Sequence, residues 1–104
     1  MAEGAQILLV EDEPLLANLL KQRLEREGFG VAVARDGEEG LKLLREQRFS
    51  LLLLDIILPK ISGFELMETM RADPQLGQVP VIIISNLGQD SDVAKGESLG
   101  AAAY

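Results

Sequence analysis

Asp55 stands in the apolar stretch Leu51–Pro59 (LLLLDIILP), and Glu11 and Asp12 follow another apolar run, Ile7 to Val10. These three acids are the residues whose types and placement could do chemistry. Carboxylates are rarely buried without a partner, because the charged form loses its water. Brought together, three carboxylates repel, and at least one takes up a proton. A hard divalent cation removes that conflict. Mg²⁺ prefers oxygen ligands, keeps several waters and commonly binds through one or two carboxylates plus a phosphate. The pattern therefore points to a cation site serving phosphoryl chemistry. Read alone, Glu11, Asp12 and Glu13 before Pro14 also suit the acids that a helix macrodipole favours at its start. Asp55 suits a turn less well, since its neighbours are not Gly, Ser or Asn.

Such a cluster needs elements that carry its members to one place. Gln6 to Val10 is an apolar run fit for a buried strand, and its carboxyl end delivers Glu11 and Asp12. Pro14 suits the first turn of a helix in which Leu15, Leu16, Leu19, Leu20 and Leu24 recur as core positions, and Gly28 ends it. A second strand is expected over Gly30–Ala34. The next helix is capped by Asp36, with Glu38 and Glu39 in its first turn and Leu41, Leu43 and Leu44 on its apolar face. Leu51–Leu54 reads as a third strand. Ser62 caps a helix from Gly63 to about Arg71 that buries Phe64, Leu66, Met67 and Met70. Val81–Ile84 is the fourth strand, ending at Ser85, and a weaker helix is expected from about Asp90 to Leu99. Strands alternating with helices through short connections predict a parallel α/β sheet covered on both faces. Ligands of such sheets bind beyond the carboxyl ends of the strands. Glu11, Asp12, Asp55 and Ser85 all fall there.

Composition narrows the function further. A chain of 104 residues, 47% hydrophobic, is expected to form one domain. Its net charge of −7 argues against nucleic-acid or anionic-membrane binding. With neither cysteine nor histidine, it has no disulfides, thiolate zinc site, cysteine nucleophile or Ser-His-Asp triad. No leader-like start and no membrane-length apolar run is visible, so a soluble cytoplasmic protein is expected.

The pieces ILLVEDEP, LLLLDIILPKISGFE, PVIIISN and LGAAAY, in this order, resemble the receiver domain of two-component response regulators over nearly the whole chain. The resemblance implies a flavodoxin-like doubly wound sheet of order 2-1-3-4-5. It implies that Asp55 accepts a phosphoryl group from a phosphohistidine on a sensor histidine kinase or phosphotransfer protein. Asp12 matches a direct Mg²⁺ ligand, Glu11 a ligand acting directly or through water, and Ile57 a backbone-carbonyl ligand. Ser85 matches the hydroxyl that binds the phosphoryl oxygens after transfer, and Tyr104 the switch aromatic. Gly63 and Pro59 match residues that shape the loop beyond the acceptor. Such a domain catalyses its own phosphorylation and dephosphorylation, as a signalling module and not a metabolic enzyme.

The chain also departs from the family pattern. The family places a lysine in the fifth strand, shortly after the aromatic, whereas this sequence stops at Tyr104. Lys95, in the predicted fourth helix, does not match that position. The fifth strand and helix are expected to be missing or only begun, as in a piece of a longer regulator. The Val81–Ile84 strand would then be an apolar edge, open to a homodimer or strand swap. Asn86 stands where the family usually has a small residue. Ile57 and Leu87, at the positions that tune phosphoaspartate hydrolysis, are apolar, so slow dephosphorylation is expected. A pseudo-receiver acting only as an interaction module is the alternative. An aspartate-nucleophile phosphatase of the haloacid-dehalogenase type would need a second acid at Ile57. A nucleotide carrier would need a glycine-rich phosphate loop, which the sequence lacks.

Overall fold

In the computed structural model, residues 5–55 and 61–84 are described. Four strands, β1 (Gln6–Val10), β2 (Gly30–Ala34), β3 (Leu51–Leu54) and β4 (Val81–Ile83), form one sheet in the order β2-β1-β3-β4. Every pairing is parallel. Three helices, α1 (Pro14–Arg26), α2 (Gly37–Glu46) and α3 (Gly63–Ala72), make the crossovers. The order is that of a flavodoxin-like sheet through its fourth strand. The expected fourth helix, the fifth strand, Ser85, Asn86, Leu87, Lys95 and Tyr104 lie outside the described residues, as do Ile57 and Pro59.

Apart from exposed Gln6 at the start of β1, the strands are apolar because both faces of the sheet are covered. Side chains alternate across a strand. Leu8, Val10, Leu52, Leu54, Val81 and Ile83 thus meet Leu44 of α2 and Phe64, Leu66, Met67 and Met70 of α3. Ile7, Leu9 and Leu53 face the other way, onto Ala17, Leu20 and Leu24 of α1. The predicted interior of α3 is buried in full.

Local signals set the helix ends. The Asp36 carboxylate accepts from the Glu39 amide at 2.8 Å, and the Ser62 hydroxyl accepts from the Glu65 amide at 3.2 Å. After α1, Gly28 takes φ 96°. Its N–H donates to the Glu25 carbonyl at 3.1 Å, and the Phe29 N–H donates to the Leu24 carbonyl at 3.2 Å. This is a Schellman closure, in which a left-handed residue suits glycine.

Two expectations need correction. β4 ends at Ile83, one residue early; the Ile84 N–H still donates to the Leu54 carbonyl at 2.8 Å. On α1, Leu15, Leu16 and Leu19 are not core: they are 81%, 40% and 65% exposed. Five leucines span more of the helix circumference than one sheet contact can cover. The stripe that faces the sheet is Ala17, Leu20 and Leu24, at i, i+3 and i+7.

Candidate functional site

Strand register builds the site. Val10 pairs with Leu54 across β1 and β3, so the residues one step further, Glu11 and Asp55, leave the sheet side by side. Two backbone bonds anchor them: the Glu11 N–H donates to the Ala34 carbonyl, and the Asp55 N–H to the Val10 carbonyl, both at 3.0 Å. Asp12 follows Glu11 directly, and Pro14 begins α1 beyond it. Glu11, Asp12 and Asp55 each offer a carboxylate oxygen, and these oxygens lie within 4.8 Å of one another. The predicted acid trio is thus assembled at the carboxyl end of the sheet.

The burial of its members differs from what the sequence suggests. Asp55, preceded by four leucines, is only half-buried, one residue past the end of β3. The buried acid is Glu11, 3% exposed and the one buried polar side chain among the described residues. Asp12 is exposed.

Burial pushes the Glu11 carboxyl from 4.5 up to about 6. The Glu13 amide, donating to Glu11 Oε1 at 3.1 Å, opposes that rise. The charge of Asp55, a hydrogen bond shared with its carboxyl group and the charge of Asp12 add to it. Up to about pH 6 a proton therefore sits in the cluster, where a cation could replace it. The donor set is all oxygen and negatively charged, and its spacing lets several carboxylates reach one ion. Those properties fit Mg²⁺ or another hard divalent cation and do not suit a soft metal.

Gly63, matched by resemblance to the glycine beyond the acceptor, is the buried first residue of α3. A different glycine, Gly37, approaches the loop before α3 most closely. Sequence reading passed over it. Its signal was a glycine directly after a helix cap, where most residues would favour the helix more.

The profile of the response regulator receiver domain matches residues 7–104. The chain is 44% identical over 98 residues to the transcriptional regulatory protein AfsQ1 of Streptomyces coelicolor, covering 94% of this chain and 42% of that protein. It therefore spans about two fifths of that relative's length. The structure of the phosphorylated cyanobacterial phytochrome response regulator RcpA superposes with a TM-score of 0.90 at 30% identity, covering 97% of this chain and 79% of that one. The Mn²⁺-bound form of the response regulator Rcp1 gives a TM-score of 0.88 at 28% identity, covering 96% and 78%. A doubly wound sheet with an acid trio at its carboxyl end, matched along nearly its whole length, places this chain in the response regulator receiver family.

Proposed function

We propose that this chain is a phosphorelay switch that accepts a phosphoryl group on Asp55, with a divalent cation held by Glu11 and Asp12. The observation that carries the proposal is the grouping of the three carboxylates within 4.8 Å at the end of β1 and β3, in a chain of the receiver family. The phosphorylated RcpA and the Mn²⁺-bound Rcp1 support it as statements about those relatives.

In the proposed reaction, one Asp55 oxygen attacks phosphorus in line. The new O–P bond forms as the P–N bond of a phosphohistidine donor breaks, and the imidazole keeps the electron pair and takes a proton from solvent. Mg²⁺, when bound, supplies positive charge to the equatorial phosphoryl oxygens. The work of the chain is positioning. The Val10 carbonyl holds the Asp55 backbone, and the Glu13 amide holds the Glu11 carboxylate. Family resemblance adds the Ile57 carbonyl as a ligand, Ser85 as the hydroxyl that meets the phosphoryl oxygens and Tyr104 as the aromatic that reports the change. The donor is a sensor histidine kinase or a phosphotransfer protein. The outer edge of β4 is the expected place for a second copy, and a monomeric mass by light scattering at high concentration contradicts that part.

Incubation with acetyl phosphate, with and without Mg²⁺, followed by intact-mass spectrometry, tests the proposal. One phosphoryl group gained only with Mg²⁺, and not by Asp55→Asn, is the expected result. No gain in the wild-type chain leaves an interaction module in its place. With apolar Ile57 and Leu87 unable to orient a water, the label should outlast seconds at neutral pH.

A further inference from the structure

α1 packs beside β2, an outer strand of the sheet. Between them lies a cavity of about 500 Å³, a volume within the range of small-molecule sites. Buried Ala17 and half-buried Val33 give it an apolar lining, which largely exposed Leu15 extends to solvent. Asn18, Lys21 and Arg35 supply its polar lining, and among the described residues no acid lines it. Charge sets this cavity apart. The protein carries a net charge of −7, so most of its surface repels an anion. Arg23, Lys42 and Arg45 each stand within 4.0 Å of an acid, and Arg71 donates to the Gly77 and Val79 carbonyls. Lys21 and Arg35 have no such partner among the described residues. Two unneutralised cations thus share one concave site. The cavity that Arg45 and Arg48 line differs, because Glu46 lines it too and Arg45 is paired with Asp73.

We propose that the cavity between α1 and β2 binds a small phosphomonoester through Lys21 and Arg35, with the apolar body of the ligand against Leu15, Ala17 and Val33. A phosphomonoester carries about −1.5 to −2 charges near neutral pH, which two cations match and a carboxylate would leave half-unused. A guanidinium offers paired N–H donors to phosphate oxygens, and an ammonium adds a compact charge. The Asn18 amide can donate as well. Leu15 and Asn18 are three residues apart on α1, and Ala17 and Lys21 four, so one side of the helix carries both the apolar and the polar lining. An apolar ligand body would also remove Leu15 from water. None of the three clustered acids lines the cavity, so the proposal does not depend on Asp55 as acceptor.

The probe is phenyl phosphate, titrated into the full chain at low salt and pH 7.5 with EDTA, so that no cation draws phosphate to the acid trio. Amide NMR spectra report where it binds. Saturable shifts centred on α1 and on the chain around Arg35, with a dissociation constant of about 1 mM or tighter, are the expected result. Lys21→Ala and Arg35→Ala should each weaken binding about fivefold, and the double variant should weaken it roughly tenfold or more. Leu15→Ser should weaken phenyl phosphate several-fold yet leave inorganic phosphate, which has no apolar body, unaffected. None of these three side chains is buried, and circular dichroism checks that each variant is folded. The wild-type shift map decides even where a variant does not fold. No saturable shift up to about 10 mM, or shifts centred on the acid trio, overturns the proposal. Unchanged affinity in the folded double variant overturns it equally. Benzoate bound as tightly as phenyl phosphate overturns the assignment to a phosphomonoester.

Discussion

The interior of the sheet and its carboxyl rim differ by a single residue along the same strands. Val10 and Leu54 are wholly buried, apolar and paired in register. One step further, Glu11 and Asp55 are acids that share a hydrogen bond, and the charge of Asp55 adds to the rise of the Glu11 carboxyl. The interior is built for packing, where every side chain meets a neighbour of its own kind. The rim concentrates like charge and leaves a carboxyl group buried, which a design for stability alone would avoid. That contrast separates the residues that hold this protein together from those that give it something to do.

The largest expected effect is at the rim. Asp55→Asn should abolish labelling while leaving the thermal midpoint unchanged or raised, because a charge leaves a crowded cluster. A variant that melts well below wild type would show Asp55 to be structural. Next comes the interior. Leu66→Ala, at a fully buried position of α3, should cost about 2–5 kcal/mol in urea unfolding yet leave labelling of the folded fraction intact. A cost under 1 kcal/mol, or a site lost while the fold persists, would blur the division between the two regions.

Acidity sharpens the comparison. The folded chain holds the Glu11 proton up to about pH 6, whereas an unfolded chain releases it near 4.5. Without metal, this contribution to stability is fully present below 4.5 and is lost as pH rises through 6. The shift of the Glu11 carboxyl from 4.5 to about 6 corresponds to roughly 2 kcal/mol at ~1.36 kcal/mol per pH unit. Glu11→Gln, which cannot titrate, should therefore gain on wild type between pH 4 and 7.5 in metal-free unfolding. A difference that stays flat with pH contradicts the shift. Mg²⁺ should stabilise the wild type more at pH 7.5 than at pH 5, because it competes with that proton. The smallest effect belongs to a helix end remote from both regions in chemistry. Ser62→Ala removes the cap of α3 and should cost about 1 kcal/mol in unfolding.

Much of this was legible in the sequence, for physical reasons that can be named. Strand alternation, the Asp36 and Ser62 caps, the Gly28 stop and the buried face of α3 all follow from local periodicity and hydrogen-bond chemistry. The exposure of Leu15, Leu16 and Leu19 was not legible, because leucine alone does not tell which side of a helix the sheet will meet. Small Ala17 took the buried place. Which acid is buried was not legible either. Both acids stand one residue past a strand end with their amides held by a neighbouring strand, so neither local sequence nor register separates them. Gly37 escaped because its meaning lies in a contact with Ile61, distant in sequence.

The most direct test is to find which residue carries the phosphoryl group. Protein labelled by acetyl phosphate with Mg²⁺ is reduced with borohydride, which converts an acyl phosphate to the alcohol, and is then mapped by peptide mass spectrometry. Homoserine at position 55 and at no other acid is the predicted result. Homoserine at Asp12, or hydroxynorvaline at Glu11 or Glu13, in place of homoserine at position 55, or no reduced residue in labelled protein, would contradict it.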